Sequence, residues 1–212
     1  MKKKATLHYI ILSLIIGLAG TSMHFAHHVE VGDGVRDFFC HFFPIGETCW
    51  EHMKMIFFPM LLLAVIMCIK RHHDTKTSRH QDSSKSRSPE VLKSPFALEA
   101  CGGAMLSASI TIPIAIGLYF LFHIIAPEAE LIADVIVYWA EMFFAVWLAL
   151  RLDKCDGIRR LWPLWIAVAV LWVVAFWVLT CHHPDWELFQ VPSDWLAIDP
   201  DGHGHSHHHS NI

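Results

Sequence analysis

The stretch CWEHMKMIFFPMLLLAVIMCIKR, residues 49–71, changes character twice along its length. It opens with polar side chains, continues over residues 55–69 without a charged side chain, and ends on Lys70 and Arg71. A helix that includes the last polar turn before this apolar run is long enough to cross the hydrocarbon layer of a membrane. The stretch therefore predicts a transmembrane helix over residues 52–69, and the basic pair marks its cytoplasmic end.

Four further apolar segments complete the pattern, at residues 7–25, within 97–126, at 131–150 and at 161–180. The chain is 54% hydrophobic and 17% charged, whereas about a quarter of the residues in a soluble domain carry charge. We therefore expect an all-α integral membrane bundle of five transmembrane helices with the lipid bilayer as its main partner. A nucleic-acid partner is not expected, because the basic residues form no recognisable nucleic-acid-binding module. The sequence does not indicate a protein partner or a homo-oligomer.

The basic residues lie on alternate sides of the five segments. Of the 16 Lys and Arg residues, all but Arg36 and Lys54 precede the first segment, separate the second from the third, or separate the fourth from the fifth. Because membrane insertion retains Lys and Arg in the cytoplasm, this pattern predicts an N-terminus inside and a C-terminus outside. A cleaved secretory signal is the alternative interpretation of residues 2–24, and the length of the apolar run favours an uncleaved first span.

This pattern divides the chain into four parts. They are the first two helices with an outer loop (1–69, loop 26–51), a basic cytoplasmic linker (70–95) expected to be disordered, helices three to five (96–181), and an acidic outer tail (182–212). Cys40 and Cys49 share the outer loop and can form a disulfide there if that side is oxidising. The tail ends in imidazoles that suit Zn, Ni or Cu, either as a physiological site or as non-specific ligands: His203, His205, His207, His208 and His209.

The densest polar cluster opens the second predicted span on its outer side. Thr48 and Glu51 have the spacing of a capping box, in which each side chain bonds the backbone of the other. Trp50 is interpreted as an anchor at the membrane interface. Lys54 is a cation on the acidic outer side, and we expect it either to snorkel towards water or to pair with Glu47 or Glu51.

Histidines at the end of the first span lie near this cluster in the expected topology. His24 and His28 are four residues apart and share a helix face. Together with the carboxylates of Glu47 and Glu51, they form a candidate site for Zn or another divalent transition metal. The alternative is that these histidines only form hydrogen bonds at the membrane interface.

Glu141 lies near the middle of the fourth predicted span. A carboxyl group at that depth is costly unless it is protonated, paired or facing water. It is the strongest intramembrane candidate for a proton or ion path, and a neutral Glu that bonds a neighbouring helix is an equal alternative. Its candidate partners lie on the third span: Ser107, Ser109, Thr111 and His123. The same span carries small residues at 102–104 and 107–109, which predict close helix packing.

Residues 45–59, IGETCWEHMKMIFFP, resemble the signature of a family of bacterial multi-pass membrane proteins of unknown function. Its members typically read Asn-Glu-Ser-x-Trp-Glu-His-x-Lys-x-x-Phe-x-Pro. The matching residues are Glu47, Trp50, Glu51, His52, Lys54, Phe57 and Pro59. Thr48 preserves the hydroxyl of the family's Ser, and Gly46 replaces its Asn. The resemblance implies a bacterial plasma membrane location and implies no reaction.

Three functional interpretations follow from these residues. A non-catalytic membrane component is favoured, because the chain has no nucleophile elbow, phosphate loop or dinucleotide fingerprint. The alternative is a transporter-like protein for protons, cations or divalent metals that uses the outer His/Glu cluster and Glu141. The least supported is an intramembrane enzyme with Glu51 and His52 as acid and base.

Overall fold

The computed structural model describes residues 2–25, 41–44, 48–82, 99, 101–125, 130–182 and 184–190. These residues form helices α1 (Lys2–Phe25), α2 (Cys49–Asp82), α3 (Gly102–Ile125), α4 (Glu130–Leu152), α5 (Asp156–Arg160) and α6 (Trp162–Cys181), and a 3₁₀ turn (Glu187–Phe189). The described part of the chain contains no strand. The prediction of an all-α fold is confirmed.

Five of these helices, all except α5, are long and apolar enough to cross a membrane. Their outward faces carry large apolar side chains such as Leu18, Val65 and Leu171, which are more than half exposed. Polar side chains such as Ser107 and Thr111 are instead fully enclosed between helices. Soluble proteins rarely expose apolar surface of this extent, and lipid chains would cover it. The fold therefore fits a multi-pass membrane protein.

Helix α3 lies at the centre of the bundle and packs against α2, α4 and α6, while α1 packs against α2 and α4. Half of the membrane-length window in α2 is buried by the other helices, compared with 17% in α6. Helix α2 therefore belongs to the interior of the bundle, and α6 presents most of its surface to the surroundings.

The predicted small-residue face of α3 forms the contact with α4. A Cβ atom placed on Gly103 would lie 2.6 Å from the backbone nitrogen of Asp153. Ser107 lies one turn further along α3, and its Oγ donates a hydrogen bond of 2.7 Å to the carbonyl of Ala145. Small side chains let the two backbones approach closely, as the sequence predicts.

The bundle has two ends that differ in chemistry. The signature of residues 45–59 is called the motif from here on. At the end of the bundle where the motif opens α2, called the motif end, α1, α3 and α6 end while α2 and α4 begin. At the opposite linker end, Arg159 of α5 pairs with Glu99 at 3.2 Å, and Arg71 pairs with Asp153 at 3.6 Å. The candidate site lies at the motif end.

Helix α2 extends further than the sequence suggests. The cytoplasmic linker is predicted to begin at residue 70, but the helix continues to Asp82. Adding a residue to an existing helix costs far less than nucleating one, so polar residues after an apolar span can prolong it. The remainder of the predicted linker, residues 83–95, lies outside the described residues.

Candidate functional site

The motif begins with a capped helix. The Oγ1 atom of Thr48 accepts a hydrogen bond of 3.2 Å from the backbone N–H of Glu51, which confirms the predicted cap. His52 Nδ1 lies 2.9 Å from the carbonyl oxygen of Thr48 and donates to it when the proton is on that nitrogen. The bond to Thr48 Oγ1 satisfies a backbone N–H that the first turn of a helix leaves without an intrahelical partner. The carbonyl of Thr48 also accepts the backbone N–H of His52 at 3.1 Å.

The Glu51 carboxylate is directed into the bundle, rather than back along the chain as a capping box would require. Its Oε2 accepts from Lys54 Nζ at 2.8 Å, and its Oε1 accepts from Thr180 Oγ1 at 3.3 Å. The Lys54 side chain has no exposed surface, and that of Glu51 is 2% exposed. Of the two expectations for Lys54, pairing with an acid is confirmed and snorkelling is wrong. The contact with Thr180 connects the start of α2 to the end of α6.

Trp50 is not an interfacial anchor, so that prediction is wrong. Its side chain is 3% exposed, and its ring lies 4.7 Å from Phe176 and 5.3 Å from Phe189 between ring centroids. Phe189 belongs to the 3₁₀ turn, which folds back over the start of α2. The tail thus contributes a packed residue to the bundle, which its acidic, polar sequence does not indicate.

A pocket of about 300 Å³ lies beside the motif, between α1, α2, α3 and α4. Its lining is largely apolar and aromatic and also includes several titratable groups. The lining residues are Thr21, His24, Phe25, Cys49, His52, Met53, Met55, Ile56, Ala115, Tyr119, Phe122, Asp134, Val135, Val137, Tyr138, Trp139 and Glu141. The structure therefore places Glu141, the predicted intramembrane acid, in the same cavity as His24 and His52.

Glu141 is the most enclosed acid of this pocket. It is 5% exposed, and its Oε1 has no hydrogen-bond partner among the residues that the structure describes. Asp134 precedes it by seven residues, so the two carboxyl groups share one face of α4, about 10 Å apart along the axis. The imidazole rings of His24 and His52 stack with 5.4 Å between their centroids. The pocket thus brings two carboxyl and two imidazole groups into one lining.

The hydroxyl groups predicted to bind Glu141 donate hydrogen bonds to carbonyl oxygens of α3 or α4. Ser107 donates to Ala145, Ser109 donates to Met105 and Thr111 donates to Ser107. None of the three hydroxyl groups therefore donates its proton to Glu141. Ser109 and Thr111 follow the common pattern in which a hydroxyl within a helix bonds a carbonyl one turn earlier, whereas Ser107 bonds across to α4. The side chain of His123, the fourth candidate, lies outside what the structure describes.

Two of the predicted metal ligands, His24 and Glu51, lie in different parts of the bundle. Both oxygens of Glu51 face other helical residues, and Glu51 does not line the pocket that contains His24. His28, Glu47 and the tail histidines 203–209 lie outside the described residues, so the metal sites stay a prediction. Within the described ranges, no group of three or more His, Cys, Asp or Glu residues could hold a metal ion.

Cys49 lines the pocket as a buried free thiol. Its predicted disulfide partner, Cys40, lies outside the described residues.

Three aromatic residues of the pocket, Tyr119, Tyr138 and Trp139, were missed by sequence reasoning. Tyr138 also fixes the wall of the pocket, because its hydroxyl donates a 2.7 Å hydrogen bond to the carbonyl of Gly17. A signal for Tyr138 exists, since Asp134, Tyr138 and Glu141 are spaced by four and then three residues and so share a helix face. No comparable signal places α3 residues beside them.

Comparison of the chain with family models, with curated proteins and with solved structures finds no match.

Proposed function

We propose that this chain is a non-catalytic protein of the bacterial plasma membrane that takes up a proton or a monovalent cation at Glu141. One observation carries the proposal: Glu141 faces the pocket, and its buried Oε1 has no partner among the described residues. An acid inside a membrane is stable only when it is protonated, paired or hydrated. A carboxyl group that faces a cavity can change between these states when a proton or cation enters.

The motif supports this proposal as architecture. Glu51 is buried and bonded to Lys54 and Thr180, and it lies outside the pocket lining. A group in that position is unsuited to the acid–base role considered for it with His52. The motif instead stabilises the start of α2, from which His52 reaches the pocket. The resemblance to a family of bacterial multi-pass membrane proteins of unknown function supports the same location.

Infrared difference spectroscopy tests the proposal on the full chain in lipid nanodiscs. A pH titration of the wild type should show the carbonyl band of a neutral carboxyl group that loses its proton as the pH rises. The Glu141→Gln variant should lack this band, because Gln has no ionisable group. The comparison between variants is necessary because Asp134, a second carboxyl group of the lining, can give a band in the same region of the spectrum.

Asp156→Asn provides the matched control, since Asp156 is an exposed acid at the linker end. Its spectrum should retain the wild-type band. Identical pH-dependent spectra for wild type and Glu141→Gln would refute the proposal.

A further inference from the structure

We propose that the pocket binds a small organic cation with an apolar body, such as an aryl or alkyl ammonium. This inference rests on the proposed function, because it assigns to Glu141 the role of counter-charge. It goes further by naming the class of ligand.

The lining has the composition that such a cation requires. Aromatic rings of Tyr119, Phe122 and Trp139 surround the cavity together with aliphatic and thioether side chains. Ring faces attract a cation through their quadrupoles, most strongly where water is excluded. The apolar remainder of the lining can cover the body of the ligand, and Glu141 supplies one negative charge.

The volume of the pocket also fits a small organic ligand. About 300 Å³ lies at the lower end of the range for sites that enclose small molecules. The cavity exceeds what a single bare ion occupies, and an inorganic ion would need several oxygen or nitrogen ligands in place of its water. An ammonium with organic substituents needs fewer polar partners.

The pocket reaches the surface of the bundle through apolar residues. Phe25, Phe122 and Val135 belong to its lining and are themselves exposed, by 60%, 38% and 51%. They lie at the motif end, where an amphipathic cation would accumulate at the membrane interface. Asp134 shares a helix face with Glu141 and lies nearer that end, so a second carboxyl group stands on the same wall.

A pair of probes of equal shape tests the proposal on the full chain in nanodiscs. Benzyltrimethylammonium carries a permanent positive charge, and neopentylbenzene is its neutral analogue. Binding is measured by saturation-transfer NMR, with empty nanodiscs as the reference for partition into lipid. The charged probe should bind saturably and at least tenfold more tightly than the neutral one. Equal binding of the two probes, or no saturable binding of the charged one, would overturn the proposal without any variant.

Variants locate the binding site. Glu141→Gln should weaken binding of the charged probe at least tenfold, because its counter-charge is removed. Tyr119→Leu should weaken it about threefold or more, whereas Tyr119→Phe, which keeps the ring face, should bind as the wild type does. Asp156→Asn, outside the pocket, should leave binding unchanged. Wild-type affinity in a folded Glu141→Gln protein would overturn the assignment.

The two proposals can fail separately. Loss of the infrared band in Glu141→Gln without saturable probe binding refutes the ligand class and leaves proton uptake standing. Probe binding that depends on Glu141 in a protein with no pH-dependent carboxyl band refutes proton uptake and supports the cation site.

Discussion

Lys54 shows how a single residue can oppose the general charge pattern of a membrane protein. It lies at the motif end, where no other Lys or Arg of the described residues lies, and it is buried against Glu51 at 2.8 Å. Removing two charges from water costs several kcal/mol each, and their mutual attraction offsets that cost only while both remain. The pair is therefore a point at which one substitution has a large effect.

Lys54→Met should destabilise the protein by about 3–5 kcal/mol, because it leaves Glu51 as a buried charge without this partner. We expect a lower melting temperature by circular dichroism in detergent and a lower yield of monodisperse protein. The double variant Glu51→Gln with Lys54→Met should recover much of the loss, since no net charge remains at the pair. A single variant as stable as the wild type would contradict this reading of the motif.

At the scale of helices, the contact between α3 and α4 depends on the absence of side chains. Gly103 faces the backbone of α4, where an added Cβ would lie 2.6 Å from Asp153 N and 3.1 Å from Ala149 O. Backbone atoms cannot rotate away as a side chain can, so the helices themselves would have to separate. Gly117, on the same helix, has no atom within 4 Å of such a Cβ.

Gly103→Ala should therefore destabilise the bundle by roughly 1–3 kcal/mol through overpacking. Gly117→Ala should be neutral or stabilise the helix by up to about 1 kcal/mol, because alanine favours helix and the site is open. Thermal unfolding of the two variants in the same detergent checks the difference. Equal melting temperatures would show that close approach of α3 and α4 is not required.

At the scale of the whole molecule, the orientation in the membrane follows from charge distribution and remains a prediction. Two exposed cysteines lie at opposite ends of the bundle, with Cys155 at the linker end and Cys181 at the motif end. The positive-inside pattern places Cys155 in the cytoplasm and Cys181 outside.

Single-cysteine variants that retain only Cys155 or only Cys181 test this orientation in intact bacterial cells. A membrane-impermeant maleimide should label the Cys181 variant directly and the Cys155 variant only after permeabilisation. Labelling of Cys155 in intact cells would show the opposite orientation, with the pocket on the cytoplasmic side.

Much of the fold can be predicted because its signals are local. Five apolar segments give five membrane-length helices, since a backbone in hydrocarbon must satisfy its own hydrogen bonds within each helix. The Thr48 cap and the proximity of Glu51 to Lys54 follow from spacings of three residues. The small-residue face of α3 follows from composition and helical period.

The candidate site is predicted only in part, because its geometry depends on contacts between distant segments. The sequence marks Glu141 as costly in a membrane, and it marks His24 as a candidate metal ligand. It does not show that both line the pocket to which Tyr119 also belongs, or that Ser107 bonds Ala145 instead of Glu141.

The sequence by itself thus determined the class of the protein, the number of membrane-length helices and the Thr48 cap, because each depends on neighbours along the chain. It left Lys54 with Glu47, Glu51 or water as alternatives, and the structure decided for Glu51. Only the tertiary structure decided that Trp50 is enclosed by Phe176 and Phe189, and that Glu141 faces a cavity. Those outcomes depend on which helix faces pack together, and a chain of similarly apolar helices does not specify that packing by hydrophobicity alone.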